Sequence, residues 1–180
     1  LKTTPLTGNP GRERRPSISS DGQFVVFEWQ ENPDEPERTV VREIGSGRFT
    51  GLPISGPFTW IPGTHRIAYR ERGPGGVKLC SISRYGDDRQ EVLTAKEIRA
   101  WAFSPDGKYV AYTAPTKASG AVFRYTIATR EHKQLTDPPA PGDFGVELSH
   151  DGRQIAVRRG FGDVYVASFP EPGEWRRIVS

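Results

Sequence analysis

Phe103-Ser-Pro-Asp-Gly-Lys-Tyr-Val-Ala-Tyr-Thr-Ala114 is the stretch that decides the fold of this chain. Its Asp106-Gly107 dipeptide is typical of a tight turn, because glycine tolerates a positive φ and the aspartate side chain can accept hydrogen bonds from nearby backbone. The residues that follow, 108–113, are rich in tyrosine and valine and predict a strand. The stretch therefore predicts a β-hairpin.

The same hairpin pattern occurs four times along the chain, which makes it an internal repeat. Its turn positions 21, 63, 106 and 151 are 42, 43 and 45 residues apart. In the second copy Gly63-Thr64 replaces Asp-Gly but keeps a glycine in the turn. We predict structural turn roles for Asp21, Gly22, Gly63, Asp106, Gly107, Asp151 and Gly152.

Three columns of apolar or small residues align between the copies, as packed sheets require. One inward-facing column contains Ile18, Trp60, Phe103 and Leu148, a second contains Val25, Ile67, Val110 and Ile155, and a small-residue column contains Val26, Ala68, Ala111 and Ala156.

Each copy continues with two further strand-like segments, and four strands in a period of this length are typical of a β-propeller blade. We predict an all-β fold, a single β-propeller region over 1–180 with four-stranded antiparallel blades at about 8–54, 55–95, 96–138 and 139–180. Residues 1–7 resemble the fourth strand at 133–136 and are expected to form the outer strand of a preceding or closing blade. A single blade cannot bury both faces, so neighbouring blades must stack around an axis. Because residues 1–7 suggest a preceding blade, we expect these four blades to belong to a larger ring; a closed four-blade ring and an assembly of chains that completes a ring remain alternatives.

The composition excludes several classes of protein. Glycine (20) and proline (16) are abundant, and no segment shows a sustained helical period, which favours short strands and turns over helices. The net charge of +3 is spread along the chain without the basic stripe that nucleic-acid binding requires. Cys80 is the only cysteine, so no intrachain disulfide and no cysteine-based metal site can form. No apolar run is long enough for membrane insertion.

The repeat Ser-Pro-Asp-Gly-Lys-Tyr-Val-Ala-Tyr, with Trp101 two residues before Phe103, resembles the repeat of TolB-like, WD40-like propellers. The flanking segments 5–16, 42–47 and 163–173 are similar to propeller regions of large bacterial sensor proteins that are linked to a serine/threonine kinase or winged-helix domain. The resemblance implies a sensory or scaffolding propeller in a periplasmic or otherwise extracytoplasmic location, which binds a protein partner at one opening of its channel. The chain carries no kinase or winged-helix motif, so no fused activity is inferred.

Residues that suggest chemistry have simpler structural interpretations. Ser149-His150-Asp151 falls on a repeat turn, and adjacent residues do not converge as a catalytic triad does. The three histidines, His65, His132 and His150, have no second ligand at zinc-like spacing. The aspartates of the turns lack the density of acidic residues that a calcium loop requires. We therefore predict no catalytic residues, no metal and no cofactor.

The segments that enter the first strand of each blade lie near the channel mouth of a propeller and vary between the copies. Arginine and aromatic residues, which are enriched at interface hot spots, occur there. We predict a partner-binding set, called the rim set, made of Arg14, Arg15, Phe58, Arg99, Trp101 and Asp143. Packing between blades is the alternative interpretation for Phe58 and Trp101.

Three functional hypotheses follow. The first is a non-catalytic binding or scaffold module that recognises a protein or peptide at one face of the ring. The second is the non-catalytic propeller gate of a larger serine peptidase or other hydrolase, which a Gly-x-Ser-x-Gly domain beyond the chain would indicate. The third is a carbohydrate-active lyase, which would need clustered histidines and a metal that this sequence does not supply.

Overall fold

A computed structural model of the protein describes residues 7–8 and 10–179. Within these residues the chain is all-β, and sixteen strands form four four-stranded antiparallel sheets, which confirms the predicted fold class. The expectation for residues 1–7 concerns residues outside the described part of the chain, apart from Thr7. No helix in residues 7–8 and 10–179 has the length and apolar character needed to cross a membrane.

The first two sheets are built from consecutive antiparallel strands. The first sheet contains β1 (Arg12–Ile18), β2 (Phe24–Gln30), β3 (Arg38–Glu43) and β4 (Phe49–Leu52) in that order. The second contains β5 (Phe58–Trp60), β6 (Arg66–Gly73), β7 (Gly76–Ser83) and β8 (Gln90–Ala95), also in chain order.

The third and fourth sheets repeat this arrangement. The third contains β9 (Trp101–Phe103), β10 (Tyr109–Pro115), β11 (Gly120–Thr126) and β12 (Glu131–Gln134), and the fourth contains β13 (Asp143–Leu148), β14 (Gln154–Arg159), β15 (Asp163–Ser168) and β16 (Arg176–Val179). Every sheet is a simple meander in which consecutive strands are neighbours, because the connections between strands are too short for a crossover.

The chain forms two compact units, one from residues 1–69 and 80–90 and the other from residues 70–79 and 91–180. In the first unit the core lies between the first two sheets, and the indole Nε1 of Trp60 donates to the backbone oxygen of Ser17 at 2.9 Å. This core contains Phe24, Val26, Val41, Leu52, Ile54, Trp60, Ile67, Tyr69, Cys80 and Ile82.

In the second unit the core lies between the third and fourth sheets. Its buried residues are Ala111, Val122, Val146, Ile155, Val157, Ala167 and Phe169. Small Ala111 faces this core, as the small-residue column predicts, because a short side chain lets the next sheet approach closely.

One member of the inward apolar column departs from the prediction. Ile18 is 62% exposed, whereas Trp60 is 5% exposed. Trp60 packs in a core with Val26 of the preceding sheet, and Leu148 likewise packs against a core that includes Val122 of the sheet before its own. Among the described residues no sheet precedes the first one, so Ile18 has no such surface to pack against.

The repeat turns are closed by one hydrogen-bond network. In the third copy Ser104 Oγ donates to Asp106 Oδ1 at 2.7 Å and accepts from the backbone N–H of Tyr109 at 2.9 Å. The N–H of Lys108 donates to Asp106 Oδ1 at 3.1 Å. The same bonds link Ser19, Asp21, Gln23 and Phe24 in the first turn and Ser149, Asp151, Arg153 and Gln154 in the fourth.

The second copy closes its turn with threonine. Thr64 Oγ1 donates to the backbone oxygen of Ile61 at 2.8 Å and accepts from the N–H of Arg66 at 3.1 Å. The turn glycines of all four copies have φ between 68° and 70°, a region that a side chain disfavours. The turn hydrogen bonds, first of all those from the serine hydroxyls, also lower the pKa of the three turn aspartates.

Candidate ligand-binding site

The second unit brings together the starts of β9 and β13, where sequence reasoning places half of the rim set. The two strands contact each other. Arg99, which precedes β9, is exposed, and its Cζ lies 5.9 Å from the ring centroid of half-buried Phe144 in β13. Arg99, Trp101, Asp143 and Phe144 therefore belong to one local group, which we call the entrance site.

Thr113 in β10 holds this group in place. It is completely buried, and its backbone N–H and C=O bond to Ala100 O and Arg99 N–H at 2.9 Å each. Its Oγ1 accepts from the N–H of Ala100 at 3.1 Å and lies 3.5 Å from the carbonyl oxygen of Phe144. Sequence reasoning did not identify Thr113, although a polar residue inside an apolar strand is a usable signal.

Two glycines let the backbone approach the entrance site closely. A Cβ on Gly142 would lie 2.1 Å from the amide nitrogen of Gly120, and a Cβ on Gly120 would lie 2.6 Å from the carbonyl oxygen of Asp143. The segment that leads into β13 therefore lies directly on the β10–β11 hairpin. This contact fixes where β13 begins and hence the position of Asp143.

Asp143 is not the exposed rim residue that the sequence suggests. Its side chain has no exposed surface, and its Oδ1 accepts from Arg159 Nε at 2.8 Å across the β13–β14 pair. Burial opposes the charge of Arg159, but the hydrogen bond and the attraction to Asp143 outweigh it and raise the pKa of Arg159. A buried carboxylate requires a cationic partner, so the role of Asp143 is to pair with Arg159 inside the fold.

Arg159 is a residue that the predicted rim set does not include. Besides its bond to Asp143, its Cζ lies 4.3 Å from the ring centroid of Tyr165 in β15. Its side chain is 21% exposed, so part of the guanidinium faces solvent. The ion pair joins two strands that the sequence alone does not place in register.

The entrance site contains a buried donor and a buried acceptor that lack partners. Neither Trp101 Nε1 nor Asp143 Oδ2 has a hydrogen-bond partner among the described residues. Most buried polar atoms in proteins are hydrogen-bonded, so an unpaired one marks either a cost or a functional position. The Trp101 side chain itself is half-buried, which leaves part of the residue open to a ligand.

The other half of the rim set lies in the first unit, where β1 and β5 contact each other. Arg14 is exposed on β1, and Phe58 is half-buried and packs against the core, which agrees with a packing role. Arg15 has a φ of 50° at an irregularity in the β1–β2 register. Its Nη1 lies 2.8 Å from Glu28 Oε1, with the arginine side chain 59% exposed and the glutamate side chain 4% exposed.

The two units thus share one feature, a buried carboxylate that is paired with an arginine on a neighbouring strand. Among the residues that the structure describes, Glu28 Oε2 in the first unit has no hydrogen-bond partner, as Asp143 Oδ2 has none in the second. Arg15 lies within β1, and Arg159 ends β14 opposite the start of β13. Guanidinium N–H groups suit carbonyl or carboxylate acceptors on a ligand.

The histidines do not converge on one site. His132 Nδ1 lies 2.7 Å from the hydroxyl oxygen of Tyr112, burial lowers the pKa of His132, and burial raises the pKa of Tyr112 to about 12. His65 lies 3.8 Å from Asp21, and His150 is exposed on its turn. In the part of the chain that the structure describes, no three His, Cys, Asp or Glu side chains are grouped to hold a metal ion.

Comparison with known proteins identifies the fold. No protein-family model and no curated protein matches the sequence. Among solved structures, a putative TolB from Agrobacterium tumefaciens superposes with a TM-score of 0.75 at 15% identity, over 96% of this chain and 63% of that one. TolB from Acinetobacter baumannii gives a TM-score of 0.68 at 18% identity, over 89% and 44%.

A third similar structure is the β-propeller domain of the Trilobed protease from Pyrococcus furiosus, which is described as having an open velcro topology. Its TM-score is 0.63 at 12% identity, over 94% of this chain and 58% of that one. The chain thus spans between 44% and 63% of the length of these three structures. Four consecutive four-stranded meanders and these three superpositions identify the fold of this chain as a TolB-like β-propeller.

Proposed function

We propose that this chain is a non-catalytic binding module that recognises a protein or peptide through the entrance site. The observation that carries the proposal is half-buried Trp101, whose indole Nε1–H has no hydrogen-bond partner among the described residues and which lies on a strand that contacts β13. A peptide carbonyl supplies the acceptor that this donor lacks. Asp143 has no exposed surface, so it supports the site from within the fold and does not contact the ligand. Exposed Arg99 and the ring of Phe144 provide the adjoining charged and aromatic contacts.

The residue types support recognition rather than bond cleavage. Tryptophan and arginine dominate interface hot spots, because they combine large contact area with directed hydrogen bonding. The sequence motif that suggests a nucleophile, Ser149-His150-Asp151, has a structural role, since Ser149 Oγ donates a hydrogen bond to Asp151 and stabilises a turn. An extracytoplasmic location, which the family resemblance implies, belongs to the same proposal.

The test uses the full chain and a peptide library displayed on phage. Peptides selected on the wild-type chain are resynthesised and their affinities measured for Trp101→Phe and Arg99→Ala. Trp101→Phe removes the indole N–H and keeps most of the ring area. We expect each variant to lose about tenfold in affinity or more, the equivalent of one charge-assisted or otherwise buried hydrogen bond.

Arg153→Ala is the matched control, because Arg153 is exposed on the turn between β13 and β14, at the opposite end of β13 from Asp143. Circular dichroism checks that all variants remain folded. Selected peptides that bind both entrance-site variants as tightly as the wild type would refute the proposed site.

A second candidate is the propeller gate of a larger hydrolase, and the similarity to the propeller domain of a protease favours it. The two candidates differ in what adjoins the chain. A Gly-x-Ser-x-Gly hydrolase domain encoded in the same gene would support the gate. Tight peptide binding by the isolated chain through Trp101 would support the binding module.

A further inference from the structure

A small pocket in the first unit lies between the outer strands of the first sheet and the turn that follows β7. Its volume is about 150 Å³, and its lining includes Phe24, Glu43, Arg48, Thr50, Arg84 and Tyr85. Drug-sized ligands occupy pockets of about 300–1,000 Å³, so this one has room for a single functional group on a short stem. It shares no residue with the entrance site.

Arg84 is held in the pocket by aromatic rings. Its Cζ lies 4.4 Å from the ring centroid of Phe24 and 4.7 Å from that of Tyr85, and one Nη donates to the Tyr85 hydroxyl at 2.6 Å. The backbone N–H of Arg84 donates to His65 O at 3.0 Å, which anchors the residue at the start of its turn. These contacts fix the guanidinium before any ligand binds, which reduces the entropic cost of binding.

The Nε of Arg84 is buried and has no hydrogen-bond partner among the described residues. A guanidinium presents Nε–H and Nη–H as a planar fork that matches the two oxygens of a carboxylate. The aromatic contacts therefore orient the cation, while part of its donor capacity remains unused. Such a donor in a pocket is suited to an anionic ligand.

The charges around the pocket select the kind of anion. Arg48 and Arg84 contribute two positive charges, and Glu43 contributes one negative charge. The Glu43 carboxylate is engaged by the hydroxyl of Ser46, and neither arginine forms an ion pair among the described residues. The pocket thus carries one net positive charge, which suits a monoanion, and Glu43 disfavours a dianion such as phosphate.

We propose that this pocket is a binding site for a carboxylate group on a short aliphatic stem. The carboxylate accepts from Arg84, and Arg48 and the Thr50 hydroxyl line the same space and can donate to it. The stem lies beside Phe24 and Tyr85. Either a glutamate side chain of a peptide or a free carboxylic acid carries this chemistry.

Nuclear magnetic resonance of the ¹⁵N-labelled full chain tests the site directly, because the Nε–H of Arg84 gives its own signal. The probes are N-acetylglutamate amide, the free monocarboxylate butyrate, inorganic phosphate and uncharged N-acetylglutamine amide. We expect the Arg84 signal to shift saturably with the two carboxylates and to stay in place with the glutamine compound. Tighter binding of N-acetylglutamate amide indicates a peptide side chain as the source, and tighter binding of butyrate indicates a free acid.

Variants separate binding from folding. Arg84→Lys keeps the charge over the rings but loses the fork, and we expect it to weaken carboxylate binding about tenfold. Arg48→Gln leaves the aromatic contacts of Arg84 untouched and should also weaken binding, so it serves if the Arg84 variant is poorly folded. Arg153→Ala removes an exposed arginine elsewhere and should leave the affinity unchanged.

Three results would overturn the proposal. The first is an Arg84 signal that does not move with either carboxylate, and the second is an equal response to the glutamine compound. The third is phosphate binding that is tighter than carboxylate binding, because it contradicts the role assigned to Glu43. Loss of peptide binding at the entrance site would leave this result unaffected, since the two sites have no residue in common.

Discussion

Ser104 gives the sharpest test of what the repeat contributes, because the fourth blade holds an equivalent residue, Ser149, in the same compact unit. In Ser104→Ala the N–H of Tyr109 loses the oxygen that it contacts at 2.9 Å. Ser104 is 2% exposed, so water cannot readily replace that acceptor. A buried polar group left without a partner costs about 1–3 kcal/mol.

Ser149→Ala removes the same bond, here from the N–H of Gln154 to Ser149 Oγ at 2.9 Å, but this bond is exposed to solvent. Water can take the place of the hydroxyl, so we expect a loss of only about 0.5–1 kcal/mol. The two losses should therefore differ by about 1 kcal/mol or more, which corresponds to about 2–4 °C in Tm for a chain of this size.

Urea denaturation followed by circular dichroism, with both variants and the wild type measured together, provides the assay. Equal slopes with different midpoints would show that stability alone has changed. If Ser149→Ala costs as much as Ser104→Ala, burial does not set the cost of the turn bond and the reasoning is refuted.

The stability of Ser104→Ala should also depend on pH differently from that of the wild type. Hydrogen bonding, above all from Ser104, lowers the pKa of Asp106 in the folded chain. A lowered carboxyl pKa stabilises the fold above the ordinary value of 3.8, and this contribution is lost as the pH falls through the folded value. Ser104→Ala should therefore lose less stability than the wild type between neutral pH and this acid range.

Three further predictions concern the fold around the entrance site. Asp143→Asn keeps an acceptor for Arg159 but removes its countercharge, and we expect a loss of about 1–3 kcal/mol in urea denaturation, with no loss contradicting the buried pair. Gly142→Ala should lower the free energy of unfolding by more than about 3 kcal/mol, since the new Cβ would lie 2.1 Å from a backbone nitrogen at a φ of 95°. Gly63→Ala, which has open space around the new Cβ at a φ of 68°, should lower it by only about 1 kcal/mol. Similar shifts in Tm for the two variants would refute this comparison. Spectrophotometric titration should show Tyr112 ionising near pH 12. Because its folded pKa is raised above 10.0, its contribution to stability is complete below pH 10 and is lost between pH 10 and about 12. Ionisation of every tyrosine near pH 10 would contradict the burial of Tyr112.

Much of the fold follows from local sequence because the repeat is local. The Ser-x-Asp-Gly pattern closes a turn through bonds between residues at most five positions apart, as at Ser104 and Tyr109. The strand that follows the turn is buried at five successive positions, 110–114, so both of its faces are packed. Four copies of such a unit predict four meanders, and the described residues contain four meanders.

The entrance site was only half predictable. Position along the repeat was enough to select Arg99 and Trp101, since strand entrances are where the copies differ. The burial of Asp143 and its pairing with Arg159 depend on the register of β13 against β14 and on the approach of Gly142 to Gly120. Contacts of this kind join segments far apart in the chain, and no local pattern specifies them.

The hairpin at Phe103–Ala114 shows both what the local sequence determines and what depends on tertiary contacts. Its sequence by itself determined a turn, a strand and, through its three relatives, a propeller. Only the tertiary structure decided that Thr113 holds Arg99 and Phe144 together, that Ile18 is exposed while Trp60 is buried, and that Arg84 meets Phe24 in a pocket. The physical reason is that a repeat encodes the same local geometry in every copy, whereas burial and pairing depend on which neighbouring sheet each copy faces.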